Sequence, residues 1–311
     1  VSATVTQTEA FAEVPLFGGV VTLAASPDDG AARAAVRAAA HLMKRMHATL
    51  SRFDPYSELS RLNRSADTAI AISPLMADAV RAALTAAEAS GGLVDPTLEP
   101  RMHEVGYGAS RVGAAPVDLR SALRDAPKRR PAACGDPLWM SVSVEGGVLR
   151  RPLGIRLDLG GVAKGLAADL AAGFFDDCAG FVVDVAGDLV FAGVDPEARP
   201  VFIEHPLEGE RPLRLALSHG CVATSGLSRR IWRMRGEPQH HIIDPQTGRP
   251  AWTGVIQASA LASTCTQAEM LAKQALLAGP ETGAALLRAH GGALVLDDGS
   301  ITVVGPLEVL T

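Results

Sequence analysis

Apolar residues recur at helical spacing through 27–53 (PDDGAARAAVRAAAHLMKRMHATLSRF), with Pro27 and two Asp residues at its start, which predicts a long amphipathic helix. The same spacing predicts a second helix over 74–90, ended by Gly91 and Gly92, and further helices at about 162–176 and 266–278. Between them the pattern shortens to strand-like runs at 140–151, 181–187, 198–206 and 213–225, separated by Gly, Pro and Asp turns. An earlier run, 14–26 (VPLFGGVVTLAAS), reads as a strand or hairpin arm, with Gly18 and Gly19 marking a bulge or a close backbone approach. Strands with inserted helices and no regular βαβ alternation predict an α+β fold with mixed or antiparallel sheets. Residues 109–137, rich in Pro, Arg and Ala without a sustained apolar period, read as a surface excursion from a single domain over 1–311.

One helical segment departs from its own pattern. In 264–279 (TCTQAEMLAKQALLAG), Glu269 and Lys273 interrupt the apolar run four residues apart. Thr266-x-x-Glu269 has the spacing of a capping box. Read locally, Glu269 and Lys273 form an exposed i,i+4 ion pair worth about 0.2–0.5 kcal/mol, on a helix stopped by Gly279 and Pro280.

Composition narrows the function classes. The 311-residue chain is 48% hydrophobic and 20% charged, with net charge -5 and both signs interspersed. No basic stripe with interleaved aromatics exists, which argues against nucleic acid as a partner. No run approaches the roughly 18 apolar residues of a membrane span. Cys134, Cys178, Cys221 and Cys265 lie far apart without a C-x-x-C, so reduced thiols are expected rather than disulfides or a metal site. The first 17 residues carry neither a basic-then-apolar leader nor a lipobox-like cysteine. A cytoplasmic location is expected, with a trimmed export signal as the alternative.

Five segments can carry chemistry. In 51–63 (SRFDPYSELSRLN), Phe53 and Tyr56 stand in a chain with 4% aromatics, either at an ordinary D-P turn or as a platform for a flat ring. Asp95, in 91–100 (GGLVDPTLEP), is a turn residue or an acceptor for a ligand N–H. In 157–175 a strand end runs through Gly160, Gly161, Lys164 and Gly165 into a helix, whose unpaired N–H groups and dipole suit an anion. In 240–252 (HHIIDPQTGRPAW), His241 and Asp244 flank a D-P-Q-T-G turn, and His241 is a candidate general base. Upstream, 222–230 offers Thr224, Ser225, Arg229 and Arg230 for phosphate oxygens.

Taken in order, the motifs SRFxPxSELSRLN (51–63), GxxDPT (92–97), DLGGVAKGxAAD (158–169), AGD (186–188), ATSG (223–226) and HIIDPQTGRP (241–250) resemble the ApbE-type FAD:protein FMN transferase family. The resemblance runs from about residue 17 to 279. It implies an α+β fold of two interlocked halves with the flavin site between them. It also implies an activity: FAD is split at its diphosphate, FMN is joined to a Thr or Ser of an acceptor flavoprotein, and AMP is released. Carried over residue by residue, the resemblance puts Phe17, Phe53, Asn63, Leu93, Val94 and Asp95 at the flavin nucleotide. It puts Gly160, Lys164, Gly165 and Ser225 at the diphosphate. His241 falls on the base for the acceptor hydroxyl, with Asp244 and Thr247 shaping its loop. The Ala163 carbonyl matches a Mg²⁺ ligand.

The departure lies in the helix with the two charges. Where the family has Asp and Thr as Mg²⁺ ligands, this chain has Glu269 and Lys273. A glutamate can still bind a hard cation, whereas an ammonium has donors and no lone pair. Three readings follow: a working transferase, with Mg²⁺ held by Glu269 and Ala163 and Lys273 turned away or with Lys273 itself neutralising the diphosphate; an FAD-binding paralogue without transfer activity; or an FAD pyrophosphatase.

Overall fold

The computed structural model describes residues 9–111, 117–195, 200–209, 212–307 and 309–310. The first eight residues of the N-terminal stretch, residues 112–116 of the excursion and the first two of the 198–206 strand lie outside the described residues.

Eight strands form one sheet in the order Ala10–Leu16, Gly19–Ser26, Gly180–Val185, Asp188–Ala192, Gly220–Gly226, Val255–Ala262, Gly292–Leu296 and Ile301–Val304. Every neighbouring pair is antiparallel. The strands read as apolar on both faces because both are covered. Leu23, Ala25, Val183, Val185 and Ala223 point to one side, where the helices Gly30–Leu50, Ala163–Ala172 and Cys265–Ala278 bury Met43, Met46, Ala167, Ala171, Ala268 and Ala272. The alternate residues Ala24, Val182, Leu189, Phe191 and Val222 meet Val201, Ile203 and Leu215 of a small three-stranded sheet on the other side. A third cluster, Val105, Tyr107, Trp232 and Ile243, lies apart from both.

The Gly18–Gly19 signal resolves into a two-residue hairpin turn. Leu16 pairs with Gly19, and Phe17 and Gly18 between them have φ of 55° and 76°, the positive values that primed hairpin turns require.

Helices Ala163–Ala172 and Cys265–Ala278 touch backbone to backbone. A Cβ on Gly165 would stand 2.6 Å from the Cys265 carbonyl oxygen, so only glycine permits this approach. The second helix is held by the first: Asp169 accepts from the Cys265 and Thr266 N–H groups at 2.7 and 2.9 Å and from the Thr266 hydroxyl at 2.6 Å. This corrects the capping-box expectation. The N-cap is Thr264, whose hydroxyl accepts from the Gln267 N–H, and Thr266 is turned to Asp169 instead.

Two further segments hold more structure than their sequence patterns suggest. Gly279 and Pro280 end one helix but begin another, Pro280–Leu287, with Pro at its first position, where its missing N–H costs nothing. The excursion lies at the surface and is tied down there. It carries a helix, Leu119–Asp125, and then a strap along the buried helix Cys265–Ala278. Arg130 N–H donates to Trp252, Ala132 N–H to Leu277, and Gln246 N–H to Ala133.

Candidate active site

The glycine turn is held from behind before it meets any ligand. Asn63 Nδ2 donates to the Leu157 carbonyl and its Oδ1 accepts the Leu157 N–H, both at 2.8 Å. Its amide is thereby bonded to the backbone next to Asp158, and Asn63 positions the turn. Asp158 then accepts from Gly160 N–H at 2.7 Å and pairs with Arg52 at 2.8 Å. Its own N–H donates to Pro96, which ties the Leu93–Asp95 loop to the same turn.

The helix start beyond the turn already has its anion. Gly165 N–H donates to Glu269 Oε2 at 2.9 Å, so this donor is closed to a diphosphate. Lys164 points inward, bonded to the fully buried Asp188 and 3.3 Å from Glu269 Oε1. Burial alone would lower the Lys164 pKa, but the charges of Asp188 and Glu269 outweigh it and hold the ammonium protonated above its usual range. Thr224 N–H reaches the second Asp188 oxygen at 3.3 Å. Ser225, its neighbour, is buried in the strand opposite Ala258. The expectation that Lys164 and Gly165 present charge and N–H groups outward is therefore corrected: the chain satisfies both with its own carboxylates.

Glu269 and Lys273 are not an exposed pair. Glu269 is 3% exposed. Lys273 folds back against the glycine turn, where a Cβ on Gly161 would lie 2.6 Å from its Nζ. Among the described residues Lys164 makes two ion pairs and Lys273 makes none. Burial lowers the Lys273 pKa, opposed by the fields of Glu269 and Asp158.

A cavity of about 50 Å³ opens in front of Lys273, lined also by Leu93, Val94, Asp95, Asp158 and His241. Asp95 is fixed by Thr97, whose N–H and hydroxyl it accepts at 2.7 and 2.6 Å, and burial raises its pKa. His241 Nδ1 is buried without a hydrogen-bond partner. Burial, then the positive charges of Arg230 and Lys273, push the His241 pKa well below its usual value, so the ring is a neutral base at pH 7.

Asp244 shapes that loop rather than meeting the cavity. It accepts from Gln246 N–H at 3.1 Å, the Thr247 hydroxyl at 3.0 Å and Ala133 N–H at 3.2 Å, so it closes the D-P-Q-T-G turn and fastens it to the strap. This is the loop-shaping place that the resemblance implies for it.

An aromatic corner completes the site. Arg52 lies over Phe53 and Tyr107, 4.2 and 4.4 Å from their ring centroids. Tyr107 stacks on Trp232 at 5.3 Å and meets His241 edge-on at 6.2 Å. Phe53 is 37% exposed beside it. Phe17 is tied in from the hairpin turn, its carbonyl accepting from Arg230 at 3.2 Å and its ring meeting His47 edge-on at 5.4 Å. Sequence reasoning missed Arg52, Tyr107 and Trp232. Tyr107 and Trp232 stand 125 positions apart in turn-like surroundings, and only their scarcity in the chain marked them.

The donor set does not fit Mg²⁺. Oε2 of Glu269 accepts the Gly165 N–H, and the Lys164 ammonium lies 3.3 Å from Oε1, so a cation on this carboxylate would meet a like charge. Ala163 is the first residue of its helix, and Lys273 offers no lone pair. Among the described residues no three His, Cys, Asp or Glu side chains are grouped so as to hold a metal ion.

The architecture that carries this site is found in solved structures. The ApbE protein of Thermotoga maritima superposes with a TM-score of 0.77 at 24% identity, over 95% of this chain and 97% of that one. The flavin transferase ApbE of Vibrio cholerae does so with 0.74 at 22% identity, over the same shares. The ApbE family model matches residues 17–296, and the chain belongs to that family. It is 30% identical over 275 residues to the FAD:protein FMN transferase of Treponema pallidum, covering 81% of this chain and 73% of that protein. It is 27% identical over 258 residues to that of Vibrio cholerae, covering 80% and 75%.

Proposed function

We infer that this protein is an FAD:protein FMN transferase, joining FMN from FAD to a Ser or Thr hydroxyl of an acceptor flavoprotein. The observation that carries the reading is His241: a neutral imidazole with a buried, unpartnered Nδ1 on the wall of a cavity that also holds Lys273. A base kept neutral at working pH can take the hydroxyl proton as the oxygen attacks phosphorus. The bond formed joins the acceptor oxygen to the FMN phosphorus. The bond broken is from that phosphorus to the bridging oxygen, which leaves with AMP. The proton passes through His241 to the leaving phosphate or to solvent.

The remaining residues position and hold. Phe53, 37% exposed and backed by Arg52 and the buried Tyr107, offers an aromatic surface for a ring. Asp158, Asn63 and Asp244 fix the two loops that face each other across the cavity. No magnesium step enters, because the residues at 269 and 273 do not fit that ion. Membership of the family and relatives named as FAD:protein FMN transferases support the reading. No helix among the described residues is long and apolar enough to cross a membrane. Four free thiols support acceptors in a reducing compartment.

The test is single-turnover transfer of FMN to an acceptor fragment, followed by in-gel flavin fluorescence. His241→Ala is expected to slow transfer by about 10²–10⁴-fold while FAD still binds. Transfer at the wild-type rate would remove His241 as the base. FAD binding without transfer to any Ser/Thr acceptor would favour the inactive paralogue. Release of FMN and AMP without acceptor would make the protein an FAD pyrophosphatase.

A further inference from the structure

We propose that the Lys273 ammonium takes the place of a divalent cation at the FAD diphosphate, so that nucleotide binding and transfer in this protein need no metal. The proposal rests on the transferase reading for the identity of its ligand.

Three observations carry it. First, the charge that the glycine turn carries, Lys164, is already used. It lies between Asp188 and Glu269 and pairs with both carboxylates. Second, each Glu269 oxygen already has a partner, the Gly165 N–H on one and the Lys164 ammonium on the other, and that ammonium would repel a metal ion bound beside it. The cluster Lys164–Asp188–Glu269 is therefore a closed internal unit that holds the two helix starts together. Third, Lys273 stands one helical turn further on and belongs to no ion pair among the described residues. It lies against the Gly161 backbone at the wall of the cavity that His241 also lines.

A bound diphosphate in that cavity needs positive charge. Lys273 supplies it as a point charge with three donors on a flexible stem. The ligand's charge would in turn favour the protonated amine. Gly161 leaves room for the lysine to lie there, since any Cβ at 161 would collide with the ammonium. A metal there would stand between the Lys164 and Lys273 ammonium groups.

The experiment separates this inference from the transferase reading by measuring binding without acceptor. FAD is titrated into the wild-type protein by flavin fluorescence, once in EDTA and once in millimolar Mg²⁺. The expected result is a Kd that agrees within about twofold between the two conditions. Lys273→Met is expected to weaken FAD binding by about tenfold or more, the value of one charge-assisted contact. Its unliganded Tm is expected to match the wild type, because no internal ion pair is lost. Lys273→Arg should keep most of the affinity. A tenfold tightening by Mg²⁺ in the wild type would overturn the proposal, and that titration needs no variant to fold. Unchanged FAD affinity in Lys273→Met would overturn it too. Metal-independent binding that is lost in Lys273→Met, without FMN transfer to any acceptor, would leave the proposal standing and sink the transferase reading. No FAD binding in either condition would sink both.

Discussion

Adjacent histidines in this chain have opposite tasks, set by what surrounds each ring. His240 is fully buried against Trp252, its Nδ1 accepting the Ile242 N–H at 3.3 Å, and burial pushes its pKa down to about 3. His241 faces the cavity. For His240 the folded pKa lies below the unfolded value near 6.5. The unfolded chain therefore binds the extra proton between those limits, and stability contributed by the neutral ring is lost as pH falls from about 6.5 toward 3. His240→Asn keeps an acceptor but cannot titrate. Relative to wild type it is expected to gain up to about 1.4 kcal/mol per pH unit across that window, read from urea unfolding at several pH values. For His241 the lowered pKa moves the point at which the base is protonated. The acid limb of the transfer rate is expected below pH 6.5, and a limb at or above 6.5 would contradict the burial of this ring. The residue pattern made His241 visible through its D-P-Q-T-G neighbour. It could not separate the two histidines, because burial is a property of the assembled fold.

Among the elements, the pair of helices behind the site depends on two small features. Gly165→Ala is expected to cost about 1–3 kcal/mol, since its methyl would meet the Cys265 carbonyl and neither backbone can yield. Asp169→Ala removes the acceptor of two N–H groups and a hydroxyl at the next helix, and is expected to cost about 1–2 kcal/mol. Both are read as falls in denaturation midpoint at constant slope. A midpoint unchanged by either substitution would mean that the two helices are held by their apolar contacts alone. The helices and most strands were legible from apolar spacing. The capping box was misplaced because Thr264-x-x-Gln267 and Thr266-x-x-Glu269 fit the same spacing, and the partner that decides between them, Asp169, comes from another helix. The glycine turn was read as an open anion site for a similar reason: sequence shows the donors at a helix start, not the carboxylate that arrives about a hundred positions later.

At the scale of the molecule, the first and last thirds of the chain share one sheet, so the core closes only when strands from residues 10–26 and 292–304 are in place. The cysteines report on that closure. Cys134 is exposed, Cys178 intermediate, and Cys221 and Cys265 are buried, with burial raising the Cys221 pKa to about 12 and the Cys265 pKa well above its usual value. Thiol labelling at pH 8 is expected to modify Cys134 in the fast phase and Cys221 and Cys265 only after unfolding. Fast labelling of Cys265 would mean that the two central helices part in the native state. The class of fold was legible from the sequence because strands and helices alternate irregularly. The strap over 126–137 was not, because its polar backbone finds its partners in distant loops rather than in a local pattern.

The three-bond clamp from Asp169 to the start of helix Cys265–Ala278 also sets that helix's angular phase. Each residue along it turns the helix by about 100°. Removing or adding one residue between Thr266 and Glu269 would leave the clamp closed and composition almost unchanged, yet swing Glu269 and Lys273 by that angle, off Gly165 and Gly161. The charges at this site are therefore addressed by counting from Asp169, and a homologous helix can be compared with this one only after that count agrees.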